Sequence, residues 1–120
     1  MSPEEYKNKI HESLARYENN PTIKDTAGKP KWNLVNLKNF ECVTHVREYG
    51  NKKYKPDSYL DVNPGEFFEA LKRHIVAMDE DGIYSCADDS GLTHISHAMT
   101  NLMFLEEFRR IKAWSWLGNI

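Results

Sequence analysis

Apolar residues recur three and four positions apart in four separate stretches of this chain, and no stretch shows the two-residue alternation of a half-buried strand. Such a chain must bury stripes along helices, so the expected fold is all-α, a bundle of about four helices. The first stretch carries Tyr6, Ile10, Leu14 and Tyr17. Ser2, Pro3 and Glu5 open it as a cap, a first-turn proline and the return partner of a capping box. Asn19-Asn20-Pro21 is expected to stop it. Residues 21–33, punctuated by Pro21, Gly28 and Pro30, read as an ordered loop or arm. A second helix is expected over roughly 36–49, with Leu37, Phe40, Val43 and Val46 in its pattern and Gly50 as its C-terminal stop. Asn51 to Asp57 follows as a basic turn. The third begins at Asn63, a good N-cap, with Pro64 in the first turn. Its stripe is Phe67, Leu71, Ile75 and Met78, and it closes near Asp79-Glu80-Asp81-Gly82. The fourth runs from about Leu92 to Ala113 on Leu92, Ile95, Met99, Leu102, Leu105, Phe108 and Ile111.

The 120 residues suit one domain, residues 1–120, and 40% hydrophobic content suits one modest core. A formal charge of −2 argues against a nucleic-acid polymer as partner. No run approaches the ~20 apolar residues that cross a bilayer, and the start Met1-Ser2-Pro3-Glu4-Glu5 lacks the basic and then apolar pattern of a secretory signal. Cys42 and Cys86 stand apart and are expected as reduced thiols. A soluble cytoplasmic protein without a membrane partner is the expectation. The apolar tail, Trp114, Trp116, Leu117 and Ile120, points to a homo-oligomer or to a segment folded back on its own bundle.

Some polar residues do not belong to a bland bundle. His94, His97 and Asn101 fall on one side of the fourth helix, and Asp88 and Asp89 precede it near its positive end. They are either caps and hydrogen-bonded histidines or parts of a site. Glu66 and Glu69 on the third helix form an E-x-x-E pair followed by Arg73 and His74; Glu66 is already explained by capping. Glu41 on the second helix borders the apolar stripe, exposed or part-buried. Lys29 and Lys31 lie near Trp32, and Lys52, Lys53 and Lys55 near Tyr54, a pairing that suits phosphate and base or simply adds loop charge. Carboxylates and imidazoles from three helices, with lysines at the mouth of a cleft, would suit an oxygen-liking divalent ion and a phosphorylated substrate.

Taken in order, Asp25-x-x-Gly28-Lys29-Pro30-Lys31-x-x-Leu34, Tyr49-Gly50-x-Lys52-Lys53-Tyr54, Arg73-His74 and Asp88-x-Ser90-Gly91-x-x-His94-x-x-His97-x-x-x-Asn101 resemble the phage dATP/dGTP diphosphohydrolase group, related to the all-α MazG-like nucleoside triphosphate pyrophosphohydrolases. The resemblance covers about residues 25–108. It implies a MazG-like, often oligomeric helical fold that cleaves a (deoxy)nucleoside triphosphate, dGTP or dATP, to the monophosphate and pyrophosphate with Mg²⁺ or Mn²⁺. The wider superfamily holds its metal on E-x-x-E and E-x-x-D pairs. Here Glu66-x-x-Glu69 has no E-x-x-D partner, and the Asp88, His94, His97 block stands in that place. The resemblance thus implies Glu41, Glu69 and Asp88 as metal ligands. It makes His74, His94 and His97 catalytic candidates, as metal or phosphate contacts or as a base acting through water. Lys29, Lys53 and Arg73 would face phosphate, Tyr54 would stack on the base, and Asn101 would hydrogen-bond sugar or base.

Two other classes fit the same residues. One is a non-catalytic phage protein of this fold that binds a nucleotide or a host factor. The other is a zinc site made from His74, Asp88, His94 and His97. A His-Asp-type phosphohydrolase is disfavoured, because no adjacent His-Asp pair occurs in the chain.

Overall fold

A computed structural model of the protein describes residues 2–18 and 27–117, with side chains described at 2–15 and 27–111. The described residues form four α-helices: α1 (Pro3–Glu18), α2 (Glu41–Lys53), α3 (Pro64–Asp81) and α4 (His94–Leu117). Short 3₁₀ turns lie at Trp32–Leu34, Leu37–Phe40 and Ser58–Asp61. The fold is all-α, and the extended pairing among these residues is a single bridge between Cys86 and Thr93. Among them no helix is long and apolar enough to cross a membrane, and both cysteines are free.

The chain divides into two compact units, Met1–Asn39 and Phe40–Ile120. In the first, α1 opens on its capping box. The Glu5 N–H donates to Ser2 Oγ at 3.1 Å, and the Ser2 N–H reaches back to Glu5 Oε2 at 3.4 Å. The Trp32–Leu34 turn packs against α1. The expected stop at Asn19–Pro21, Asp25 and the side chains of Trp114, Trp116, Leu117 and Ile120 lie outside the described residues.

The second unit is built on α4, against which both α2 and α3 pack. Helix boundaries differ from the periodicity reading: α2 starts at Glu41 rather than near 36, with Leu37–Phe40 a 3₁₀ turn, and α4 runs on to Leu117. Gly50 does not end α2; the helix runs to Lys53, and the Tyr54 N–H closes the last turn on the Gly50 carbonyl at 2.8 Å. Lys52 and Lys53 suit that last turn because their charges oppose the negative end of the helix. The start of α4 falls at His94 because Thr93 caps it, its Oγ1 accepting the Ser96 N–H at 3.1 Å. For α3 the expected start holds: Asn63 Oδ1 accepts from the Gly65 N–H at 2.9 Å, with Pro64 in the first turn.

The larger difference concerns faces. On α3 the partly buried positions are Phe67, Ala70, Leu71, His74, Ala77 and Met78, while Ile75 is 51% exposed. His74 therefore occupies the inward position where the apolar stripe put Ile75. On α4 the buried positions are Ser96, Ala98, Thr100, Asn101, Phe104 and Phe108, with His97 partly buried, whereas Leu102 is 53% exposed and Ile111 50%. The polar stripe of the sequence is thus the upper half of the packing face. Its lower half is aromatic: Phe67 meets Phe104 at 4.8 Å and Phe108 at 6.0 Å, and Tyr59 stacks on Phe104 at 4.4 Å.

Candidate functional site

The polar half of the α3–α4 seam gathers three imidazoles. His74 on α3 and His97 on α4 stack nearly parallel, with ring centres 4.8 Å apart and 6° between planes. His94, one turn before His97, brings its Nδ1 to 2.8 Å from His74 Nδ1. A nitrogen-to-nitrogen hydrogen bond needs one bare lone pair, so these two rings cannot both carry two protons. Burial, and then the positive fields of His97 and His94, push the His74 pKa from its ordinary 6.5 down to about 4. Burial also lowers His97, against the opposing pull of Asp89. Near neutral pH the centre of the cluster is therefore uncharged imidazole.

The loop from Gly82 to Thr93 closes over one edge. Backbone bonds from Ala87 N–H to the Leu92 carbonyl and from His94 N–H to the Ser85 carbonyl, at 2.8 and 3.0 Å, draw its two arms together. Gly91 takes φ +73, a left-handed turn that a side chain would strain. This curl seats Ser90 so that its hydroxyl shares a 2.7 Å hydrogen bond with His97 Nε2 and accepts the Leu92 N–H at 3.1 Å. It also puts the Asp89 carboxylate where its charge raises the pKa of His74, His97 and Lys53. Lys53, at the end of α2, lies 4.6 Å over the Tyr49 ring, and its hydrogen bond with Tyr49 is the first cause of its raised pKa. The Arg73 guanidinium opposes a positive charge on His74.

The site therefore holds His74, His94 and His97 together, with Arg73 acting on His74 and Lys53 on Asp89. Asn101 is buried one turn below, its Nδ2 donating to the His97 carbonyl at 2.9 Å. Tyr54 is exposed and lines a separate cavity beside the seam. Lys29 is exposed in the other unit. Glu41 contacts His45 on its own helix at 3.8 Å, Glu69 contacts Lys72 at 3.5 Å, and Asp88 is exposed on the loop. Among the described residues no three His, Cys, Asp or Glu side chains form a group able to hold a metal ion, so Glu41, Glu69 and Asp88 are not gathered into a cage. The convergent donors are imidazole nitrogens, which suit softer ions better than Mg²⁺, and the donor set does not fit a magnesium centre.

Sequence reasoning passed over Asp89 in favour of its neighbour and did not assign Ser90 a contact. Both aspartates are exposed, and spacing cannot tell which of the two lies near enough to act on the histidines; Ser90-Gly91 marked the turn and was the available signal.

Comparison with known proteins agrees in outline. The family model described as dATP/dGTP diphosphohydrolase, N-terminal, matches residues 19–115, which includes every described element of the site. A Salmonella phage PMBT28 protein named dATP/dGTP diphosphohydrolase is 29% identical over 83 residues. That match covers 69% of this chain and 28% of the relative, so the chain spans little more than a quarter of that protein's length. No solved structure matches the chain. With the greater part of its length inside one family model, the chain belongs to the dATP/dGTP diphosphohydrolase N-terminal family.

Proposed function

We propose that this protein hydrolyses a (deoxy)nucleoside triphosphate, dGTP or dATP, to the monophosphate and pyrophosphate in phage nucleotide metabolism. The carrying observation is the cluster of His74, His94 and His97, bordered by Asp89, Lys53 and Arg73, in a chain of this family. His97, whose pKa burial lowers from 6.5, is uncharged near pH 7 and so able to take the proton of an attacking water. Lys53 and Arg73 are cations at the border that would offset phosphate charge as it shifts during cleavage. Ser90 holds His97 by its Nε2 edge, and Asp89 favours the charged imidazole that proton uptake creates. Tyr54 and Asn101 complete the proposed substrate contacts within this unit.

A divalent ion, Mg²⁺ or Mn²⁺, remains part of the proposal as a requirement to measure. Glu41, Glu69 and Asp88 are not gathered to hold it, so no ligand set is assigned and no step here runs through it. A MazG-like kinship, self-association and action in the host cytoplasm belong to the same reading; the exposed Phe68, Ile75 and Val76 on α3 support self-association.

The test is incubation of the purified chain with each nucleoside triphosphate and Mg²⁺ or Mn²⁺, with and without chelator, resolving products by anion exchange. Monophosphate and pyrophosphate are expected, and His97→Asn should lower turnover about 10²-fold or more at unchanged helical circular dichroism. Release of orthophosphate, or no turnover of any nucleotide, refutes the assignment. Nucleotide binding without turnover would instead identify a binding module.

A further inference from the structure

Beside the α3–α4 seam, between α2, the segment from Tyr54 to Val62 and α4, lies a cavity of about 380 Å³, inside the ~300–1,000 Å³ range of small-molecule sites. Four rings line it, those of Tyr54, Tyr59, Phe67 and Phe104. Phe67 and Phe104 come from the seam, and Tyr59 lies stacked on Phe104. Tyr59 is held from both sides, by a hydrogen bond to the Glu107 carboxylate and by the Arg47 guanidinium 4.5 Å from its ring centre. Arg47 is itself anchored, donating from Nη2 to the Pro56 carbonyl at 2.7 Å. Fixed aromatic walls with few polar groups suit a flat apolar body with a polar edge, and Asn51 and Thr100 offer such an edge its hydrogen bonds.

The position of the cavity narrows the occupant. Phe67 and His74 are two turns apart on α3, as are His97 and Phe104 on α4, so the ring-lined and imidazole stretches are offset by ~10 Å along the helices. Thr100, one turn from His97, and Tyr54, next to Lys53, lie at the shared border. A flat ring at one end and anion-neutralising groups at the other, joined over that distance, is the shape of a nucleotide. We propose that this cavity takes the nucleobase, stacked on the Tyr59, Phe67 and Phe104 walls, of the nucleotide whose phosphates meet the imidazole cluster. This subsite rests on the nucleotide reading above.

Gly50 supplies the test. It lines the cavity from inside α2, and a Cβ built there meets nothing within 4 Å. Gly50→Leu therefore fills the space while favouring the helix. Calorimetric titration with dGMP and with inorganic tripolyphosphate, both with chelator, compares the variant with wild type. The expected result is at least a tenfold loss of dGMP affinity with tripolyphosphate affinity unchanged; Tyr54→Ala, at an exposed position, should weaken dGMP several-fold as a second check. A folded Gly50→Leu protein that binds dGMP as wild type does overturns the subsite, as does a wild type that binds no dGMP. So does a variant whose only change is its mass in light scattering, which would give the cavity to a second copy. If triphosphates are turned over and dGMP affinity resists Gly50→Leu, the subsite falls and the hydrolase reading stands. If dGMP binding is lost in the variant and no triphosphate is hydrolysed by wild type, the subsite stands and the hydrolase reading falls.

Discussion

The two ends of the α3–α4 seam use the same geometry with opposite chemistry. At the lower end Phe67, Phe104 and Phe108 meet across it with ring centres 4.8 and 6.0 Å apart. At the upper end His74 meets His97 and His94 at 4.8 and 5.1 Å. Both ends are flat rings on helix faces that run through each other in register. The lower rings gain from leaving water in every protonation state. His74 and His97 gain only while neutral, because burial desolvates a charge there and neighbouring imidazoles oppose it. One seam thus combines a permanent adhesive with a conditional one, and the conditional part lies where chemistry is proposed.

The largest effect should come from breaking the permanent end. Phe104 is 8% exposed and touches both Tyr59 and Phe67. Phe104→Ala is expected to cost about 3–5 kcal/mol in chemical denaturation, enough to unfold a marginal domain. A loss below about 1 kcal/mol would mean that the aromatic end does not hold the unit together.

The conditional end is probed by acid. His74 binds its proton less readily folded, at about 4, than unfolded, near 6.5. Between those values the unfolded chain holds more protons, so stability is full above pH 6.5 and declines as pH falls toward 4. Thermal melts at a series of pH values should show this decline, and His74→Phe should flatten it, since a phenyl ring keeps the stacking without the titration. His97, shifted in the same direction, contributes the remaining slope. An identical pH slope in the variant would remove His74 from the account.

The smallest effect belongs outside the seam. Leu102, apolar in the sequence stripe but 53% exposed, should tolerate Leu102→Gln within about 0.5 kcal/mol. A cost of 2 kcal/mol or more would place a partner surface over that side of α4.

That last residue shows where the sequence was ambiguous. Caps were legible, because Ser2 with Glu5 and Asn63 with Pro64 answer to local backbone chemistry alone. The all-helical pattern was legible for the same local reason. The orientation of α4 was not: Leu102, Met103 and Ile111 make one side apolar, Phe104 and Phe108 the other, and periodicity cannot choose between two such sides. The choice is tertiary, made by what α3 offers across the gap. The grouping of His94, His97 and Asn101 on one side was legible from spacing, but that this side faces His74 was not. That Asp89 acts on His74 and His97 depends on the loop's folded path, which a residue count does not convey.

The 2.8 Å contact between His74 Nδ1 and His94 Nδ1 has one more consequence. When both rings are neutral they share one hydrogen along that line, so the ring that donates from Nδ1–H has a bare Nε2 while the ring that accepts carries its hydrogen on Nε2. The pair always displays one acceptor and one donor to its surroundings, and a single hop of the shared hydrogen, with matching exchange at the far atoms, swaps which ring plays which part.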